Sequence, residues 1–225
     1  MKFPKKSLGQ NFLIDKNIIK KIIGLSNLKG RDVIEIGPGK GSLTSEIIEK
    51  KPKTLTLIEK DNDLFEELKI KYSKNKNIKF FNADILKFDI EKIYKKNSII
   101  LGNLPYNISS QIFIKILKSK VWLPRFTDLI LMFQKELGEK IIGSYPSSNY
   151  GRISILTNLR FKSLNKFFVS PNCFFPKPKV NSLVIHFQPK IKSEFKIENI
   201  NNLEKVTNIL FSNKRKMINK NIKKI

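Results

Sequence analysis

In the segment DKNIIKKIIGLS (15–26), apolar residues fall at Ile18, Ile19, Ile22 and Ile23, the spacing of one helix face, and Asp15 stands where a cap is needed. The period then changes. Val33 to Ile36 reads as a buried strand, the glycines after it as a turn, and Leu43, Ile47 and Ile48 as the inner face of a second helix. The stretch TLTLIEKDNDLFEELK repeats strand then helix, and residues 77–81, 98–102 and 127–133 supply three further strands. Between the last two, Ile112, Phe113, Ile116 and Leu117 mark a helix that Ser109 or Ser110 is placed to cap. Strand and helix alternating at this spacing predict a parallel α/β sheet with helices on both faces. The end of the chain reads differently. Residues 161–169 and 180–188 are both strand-like, with Leu183, Ile185 and Phe187 alternating onto one side, and only the proline-bearing loop PNCFFPKPK lies between them. Two strands without an intervening helix predict an antiparallel edge. Beyond Pro189 the composition turns polar, residues 202–211 read as an amphipathic helix, and SNKRKMINKNIKKI reads as a short basic one.

Composition adds limits. The 225 residues suit one large domain with a small appendage, and 40% hydrophobic content is enough for a sizeable core. Cys173 is the single cysteine, which excludes an internal disulfide. No apolar run approaches a membrane span and the opening MKFPKKSLGQ lacks a signal peptide's apolar stretch, so a cytoplasmic protein is expected. The formal charge of +25 permits a nucleic-acid partner without identifying one. Lysine supplies most of it, and the accompanying abundance of isoleucine and asparagine is what an A/T-rich coding bias also produces.

Three polar signals fall at the carboxyl ends of successive predicted strands. EIGPGKG (35–41) joins a strand to a helix, and Gly37 and Gly39 allow a ligand close to the backbone. Its G-P-G-x-G spacing is not that of a dinucleotide cradle, and Pro38 removes an N–H that a phosphate would use. Glu59, about twenty residues on, is placed to accept from a ribose diol, and Asp84 in NADIL to accept from an adenine amino group. A nucleoside without phosphate fits this set, and S-adenosylmethionine is such a ligand.

At the end of the fourth strand, Asn103, Leu104, Pro105 and Tyr106 suit methylation of an exocyclic adenine amine. That nitrogen is a poor nucleophile because its lone pair is delocalised. Two acceptors, the Asn103 side-chain oxygen and the Leu104 carbonyl, would hold its two N–H bonds and free the lone pair. Pro105 stiffens the backbone that carries the Leu104 carbonyl, and Tyr106 offers a face for an unstacked base. Alignment with a good leaving group does the remaining work, with no metal, strong base or covalent nucleophile required.

With KKSLGQNFLID (5–15), DVIEIGPGKGSLT (32–44), LIEKD (57–61), NADIL (82–86), GNLPYNIS (102–109), MFQKE (132–136), YGRISIL (150–156), FFPKPKVNS (174–182) and FSNKRKMI (211–218) in this order, the chain resembles the rRNA adenine N6,N6-dimethyltransferases. The resemblance implies a Rossmann-like class I S-adenosylmethionine-dependent methyltransferase fold. That fold has a mostly parallel seven-stranded sheet with an antiparallel edge, here over residues 1–190. It implies cofactor contacts at Asn11, Leu13, Gly37, Gly39, Glu59, Asp84 and Asn103, and target-base contacts at Asn103–Tyr106 and Phe174. The implied substrate is a pair of adjacent adenosines in a hairpin loop near the 3′ end of small-subunit rRNA, in an immature small ribosomal subunit, acted on by a monomer. Asn181 departs from the family's usual Asp. Residues 191–225 match only a reduced remnant of the family's C-terminal helical domain, with Lys214, Arg215, Lys216, Lys220, Lys223 and Lys224 offering phosphate contacts.

Other residues read as structural: His186 on the face opposite Leu183 and Ile185, Cys173 without a partner histidine, and Trp122 as packing. Lys5 and Lys6 are ordinary terminal lysines. Residues 1–13 are expected to be mobile without cofactor, because KFPKKSLGQ has little to bury. Two other functions compete with the first. One is the related large-subunit methyltransferase of the antibiotic-resistance type, against which NLPY and KPKVNS argue. The other is a non-catalytic assembly or transcription factor, against which the intact site residues argue.

Overall fold

Apolar runs bounded by polar turns give a single seven-stranded sheet. The computed structural model describes residues 9–119, 121–191 and 199–212. The strands are β2 (Asp32–Ile36), β3 (Thr54–Glu59), β4 (Ile78–Asn82), β5 (Ser98–Asn103), β6 (Phe126–Gln134), β7 (Phe161–Val169) and β9 (Ser182–Pro189), in the order β4-β3-β2-β5-β6-β9-β7. The first five are mutually parallel, and β9 inserts antiparallel between β6 and β7. A separate two-residue ribbon pairs β1 (Phe12–Leu13) with β8 (Phe174–Phe175). The helices are α1 (Lys16–Ile23), α2 (Ser42–Glu49), α3 (Asn62–Lys71), α4 (Ser109–Leu117), α5 (Lys135–Ile141), α6 (Arg152–Arg160) and α7 (Ile200–Leu210).

The central strands are apolar on both faces because both are covered. Along β5, Ile99 and Leu101 join the cluster of Val33, Leu55, Leu57, Ile130 and Val184, while Ile100 joins that of Ile34, Phe113, Phe133 and Phe187. The edge at which the parallel strands begin is closed by polar clamps. The Arg31 guanidinium donates to the Asn97 carbonyl and to Thr127 Oγ1, which donates to Asp128. Asp128 meets His186 Nε2 at 2.7 Å. Burial pushes the Asp128 carboxyl up, but His186, Thr127 and Arg31 outweigh it and hold it below its ordinary value.

The seven strands and the antiparallel edge match expectation, and Asp15 does cap α1, accepting from the Asn17 and Ile18 N–H groups. Other details differ. Ile108, not a serine, occupies the N-cap position of α4, and Ser109 Oγ donates instead to the Tyr106 carbonyl. Helices α5 and α6 were not visible as a periodic pattern, because α5 is short and contains Gly138 while α6 mixes apolar and polar residues around its axis. His186 and Trp122 are packing residues, Trp122 edge-on to Phe161 with its N–H given to the Lys190 carbonyl. Phe12 and Leu13, the end of the segment expected to be mobile without cofactor, are buried and pair with β8. Lys5, Lys6 and the basic tail from Lys214 lie outside the described residues. Helix α7 docks on the domain through Glu204, which pairs with Lys118 at 2.7 Å. Among the described residues no helix is long and apolar enough to cross a membrane.

Gly102 is the point where β5 leaves no room for a side chain, since a Cβ there would lie 2.9 Å from both the Ile36 carbonyl oxygen and Leu104 Cδ2. Gly102→Ala is expected to cost about 1–3 kcal/mol. Chemical denaturation measures this, and a loss below about 0.5 kcal/mol would contradict the packing described.

Candidate active site

The strand order reverses between β2 and β5, the place where an open α/β sheet leaves a crevice at its carboxyl edge. A cavity of about 1120 Å³, open mouth included, occupies it. Its wall holds Asn11, Leu13, Gly37, Gly39, Glu59, Asp84 and Asn103 to Tyr106, so ten of the eleven residues expected from sequence converge there. Phe174 is the exception. It is buried behind the wall, facing Leu13 across the β1–β8 ribbon, while its neighbour Phe175 is about half exposed.

The glycine turn is built for close approach. Gly37, Gly39 and Gly41 all have positive φ, a conformation that side chains resist. The Gly39 N–H donates to Glu59 Oε2 at 3.0 Å, and the Asp61 N–H to Oε1 at 2.9 Å. Two fixed N–H donors orient the Glu59 carboxylate and leave further lone pairs for a ligand diol. Burial raises its pKa, against the pull of those N–H groups. Asp84 is set differently: Lys60 Nζ at 2.9 Å and the Leu86 N–H hold its carboxyl below the usual range.

Asn103, the last residue of β5, donates from Nδ2 to the Asn11 carbonyl at 2.9 Å. Only the nitrogen end of the amide can make that bond, so the oxygen end is left over. No described residue donates to Asn103 Oδ1 or to the Leu104 carbonyl. Two acceptors therefore stand side by side at the cavity, as methylation of an amine requires. The Tyr106 hydroxyl lies 2.6 Å from Ser182 Oγ, which anchors the ring at its far end.

Residues 9–13 strap the cavity. Gly9 abuts the Asn107 side chain, Gln10 Nε2 donates to Asp61 Oδ2 at 2.9 Å, and Asn11 receives Asn103. The Phe12 ring lies against Gly39 with Lys40 Nζ 5.0 Å from its centroid. Just beyond the strap, the Cys173 carbonyl accepts the Ile14 N–H and its thiol donates to Asp15 Oδ2 at 3.8 Å; burial together with Asp15 pushes the thiol pKa up, which disfavours a nucleophilic thiolate.

Three residues were missed by reading the sequence as motifs: Gln10, Ser182 and Glu35. Glu35 carried a signal, a carboxylate inside a strand whose neighbours are all apolar. It is 1% exposed and lines the cavity. Thr44 Oγ1 donates to its Oε2 at 2.7 Å, while Oε1 is buried without a partner. Burial, with the nearby Glu59 charge adding, pushes its pKa up to about 8. An unpartnered buried oxygen costs on the order of 1–3 kcal/mol, which a ligand donor would offset.

The strap depends on Gly39, whose added Cβ would lie 3.0 Å from two Phe12 ring carbons at a φ of +57°. Gly39→Ala is expected to speed amide exchange at Phe12 and Leu13 by about tenfold or more. Unchanged exchange at both would mean that the turn does not hold the strap.

Comparison with known proteins agrees with this geometry. The family described as ribosomal RNA adenine dimethylase matches residues 1–225. A ribosomal RNA small subunit methyltransferase A from Pelagibacter ubique (strain HTCC1062) is 45% identical over 219 residues, covering 96% of this chain and 81% of that protein. One from Wolbachia sp. subsp. Drosophila simulans (strain wRi) is 39% identical over 224 residues, covering 99% and 81%. Among solved structures, a dimethyladenosine transferase from Plasmodium falciparum superposes with a TM-score of 0.80 at 30% identity, covering 94% of this chain and 74% of that one. The 23S rRNA methyltransferase ErmE gives 0.74 at 25% identity, covering 95% and 84%. The fold and these relatives imply S-adenosylmethionine as methyl donor. The match along its whole length places this chain in the ribosomal RNA adenine dimethylase family.

Proposed function

We propose that this cavity transfers methyl groups from S-adenosylmethionine to the N6 amines of two adjacent adenosines in a hairpin loop near the 3′ end of small-subunit rRNA, two to each. The enzymatic class follows from the family: the chain is an rRNA adenine dimethyltransferase. The observation that carries the chemistry is the Asn103 amide, turned by Asn11 so that its oxygen and the Leu104 carbonyl are both left to accept.

The cofactor supplies an electrophilic methyl group on a sulfonium, already a good leaving group. The chain supplies position. Glu59 accepts from the ribose hydroxyls, Asp84 accepts from the adenine amino group in competition with Lys60, and Gly37 and Gly39 let the backbone approach. Asn11 and Leu13, in the strap, cover the amino-acid end. The cavity fits such a ligand on two structural counts, a glycine turn that a Cβ would strain and a buried carboxylate oxygen without a partner.

On the substrate side, Asn103 Oδ1 and the Leu104 carbonyl each take one N–H of the target amine. This favours a pyramidal nitrogen with its lone pair directed at the methyl group. After the first transfer one N–H remains and one acceptor still holds it, so the same site serves the second. Tyr106, fixed by Ser182, offers the face on which the unstacked base lies. Phe174 acts from behind, holding Leu13 and the strap. It reaches a base only if the ribbon opens. Lysines near the mouth, half-buried Lys40 and exposed Lys60 among them, suit an RNA backbone. The small-subunit reading is favoured over the large-subunit one by the names of the 45% and 39% identical relatives. The enzyme acts as a cytoplasmic monomer on an immature small subunit.

Transfer of labelled methyl groups to unmethylated small subunits, with naked rRNA and large subunits as controls, tests this. Dimethyladenosine on small subunits alone is the expected result. Label on large subunits would assign the other rRNA, and no label with cofactor bound would indicate a binding or assembly role.

A further inference from the structure

The cavity occupies one half of the sheet's carboxyl edge. Among the described residues, none of β6, β9 or β7 lines it. Tyr106 links the two halves. It follows β5, yet its hydroxyl meets Ser182 Oγ at the start of β9, two strands away. Ser182 pairs in turn with Val169, the last residue of β7. Beside Val169 is Phe168, whose side chain leaves the residue 57% exposed. The register explains why. Phe168 stands opposite Leu183, so both side chains share the face on which α5 lies. Helix α5 covers Leu183 closely, since a Cβ on Gly138 would lie 2.8 Å from Leu183 Cδ2. Strand β7 is the outermost of the sheet, and its Phe168 is left uncovered. Lys135, the first residue of α5, lies over the ring with Nζ 5.2 Å from the centroid, and its N–H donates to the Asn181 carbonyl at 2.9 Å. Glu139 is 3.8 Å from the same ammonium, a long and partly exposed contact that holds it weakly. Lys166, on the same face of β7, and Lys177 and Lys179, in the loop leading into β9, add exposed positive charge.

A bare aromatic on an edge strand is a liability, because such an edge invites pairing with other chains. Here the ring carries an ammonium and has lysines beside it. That is the chemistry of a nucleic-acid platform, with a π-face for a base and cations for its phosphates. We propose that Phe168, with Lys135 against its ring, is a stacking platform for the unpaired base next to the target adenosine, and so a determinant of RNA affinity outside the catalytic cavity. This rests on the reading of the cavity as an rRNA adenine methylation site. While one adenosine lies against Tyr106, its neighbour in the loop passes Ser182 and lies on the Phe168 ring, with its phosphate toward Lys135. A hairpin loop, whose bases are already unpaired, supplies both at once.

Steady-state methyl transfer by the full chain to unmethylated small subunits, with S-adenosylmethionine saturating, separates an effect on KM from one on kcat. Phe168→Ala is expected to raise KM for the subunit by about tenfold, the loss of one stacked base, with kcat within about twofold of wild type. Its thermal midpoint is expected to be unchanged, because the ring is exposed. Phe168→Trp keeps a π-face and is expected to stay within about threefold of the wild-type KM. Phe168→Leu, apolar but without a π-face, is expected to fail as Phe168→Ala does. Lys135→Gln is expected to make log KM less steep in log salt by about one, the loss of one phosphate contact. A Phe168→Ala KM within about twofold of wild type, while the wild-type chain dimethylates small subunits, would overturn the platform and leave the substrate reading intact. A wild-type KM in Phe168→Leu would also overturn it, marking an apolar contact with protein in place of a stacked base. Absence of transfer by the wild-type chain would overturn the substrate reading, and the platform with it.

Discussion

A single hydrogen bond, from Asn103 Nδ2 to the Asn11 carbonyl, joins the two halves of the site. It ties the strap across the cavity and leaves the oxygen end of the amide without a described donor. Both consequences depend on where β5 ends. The parallel strands terminate along one edge, so a glycine turn, the Glu59 carboxylate and the Asn103 amide converge there from residues spread between positions 37 and 103. The opposite edge carries the clamps of Arg31, Asn97, Thr127, Asp128 and His186, which lock the strands' starting points. Polar groups thus occupy both rims of the sheet, one satisfied internally and one left with acceptors to fill.

The parts of the fold legible in the sequence are those fixed by local period and turn chemistry. Val33 to Ile36 and residues 98–102 read as strands because short apolar runs dominate them, and Asp15 announced a helix start by its side chain. What was not legible depends on contacts far along the chain. Phe12 and Leu13 look unemployed beside lysines until Phe174 and Phe175 arrive from some 160 residues away to pair with them. The Tyr106 hydroxyl finds Ser182 across 76 residues of sequence. Helices α5 and α6 begin inside motifs that were readable one by one, without the apolar stripe that announces a helix.

The site shows the same division. Residue types that announce their chemistry, namely glycine, a strand-end acid and N-L-P-Y, were found from sequence, and the structure gathers them into one cavity. Phe174 shows the limit of that reading. An aromatic in a motif named for base contact is here buried behind the cavity wall, paired with Leu13 across the ribbon. Glu35 shows the converse, since a strand acid reads as ordinary until both of its oxygens are accounted for.

The central claim is that catalysis comes from two acceptors holding the amine. Single-turnover methyl transfer by Asn103→Ala, with cofactor and RNA both saturating, tests it most directly. The account predicts a rate at least about a hundredfold below the wild-type chain, because one acceptor and the anchored strap are lost together. A rate within about threefold of wild type, with both ligands bound, would contradict it.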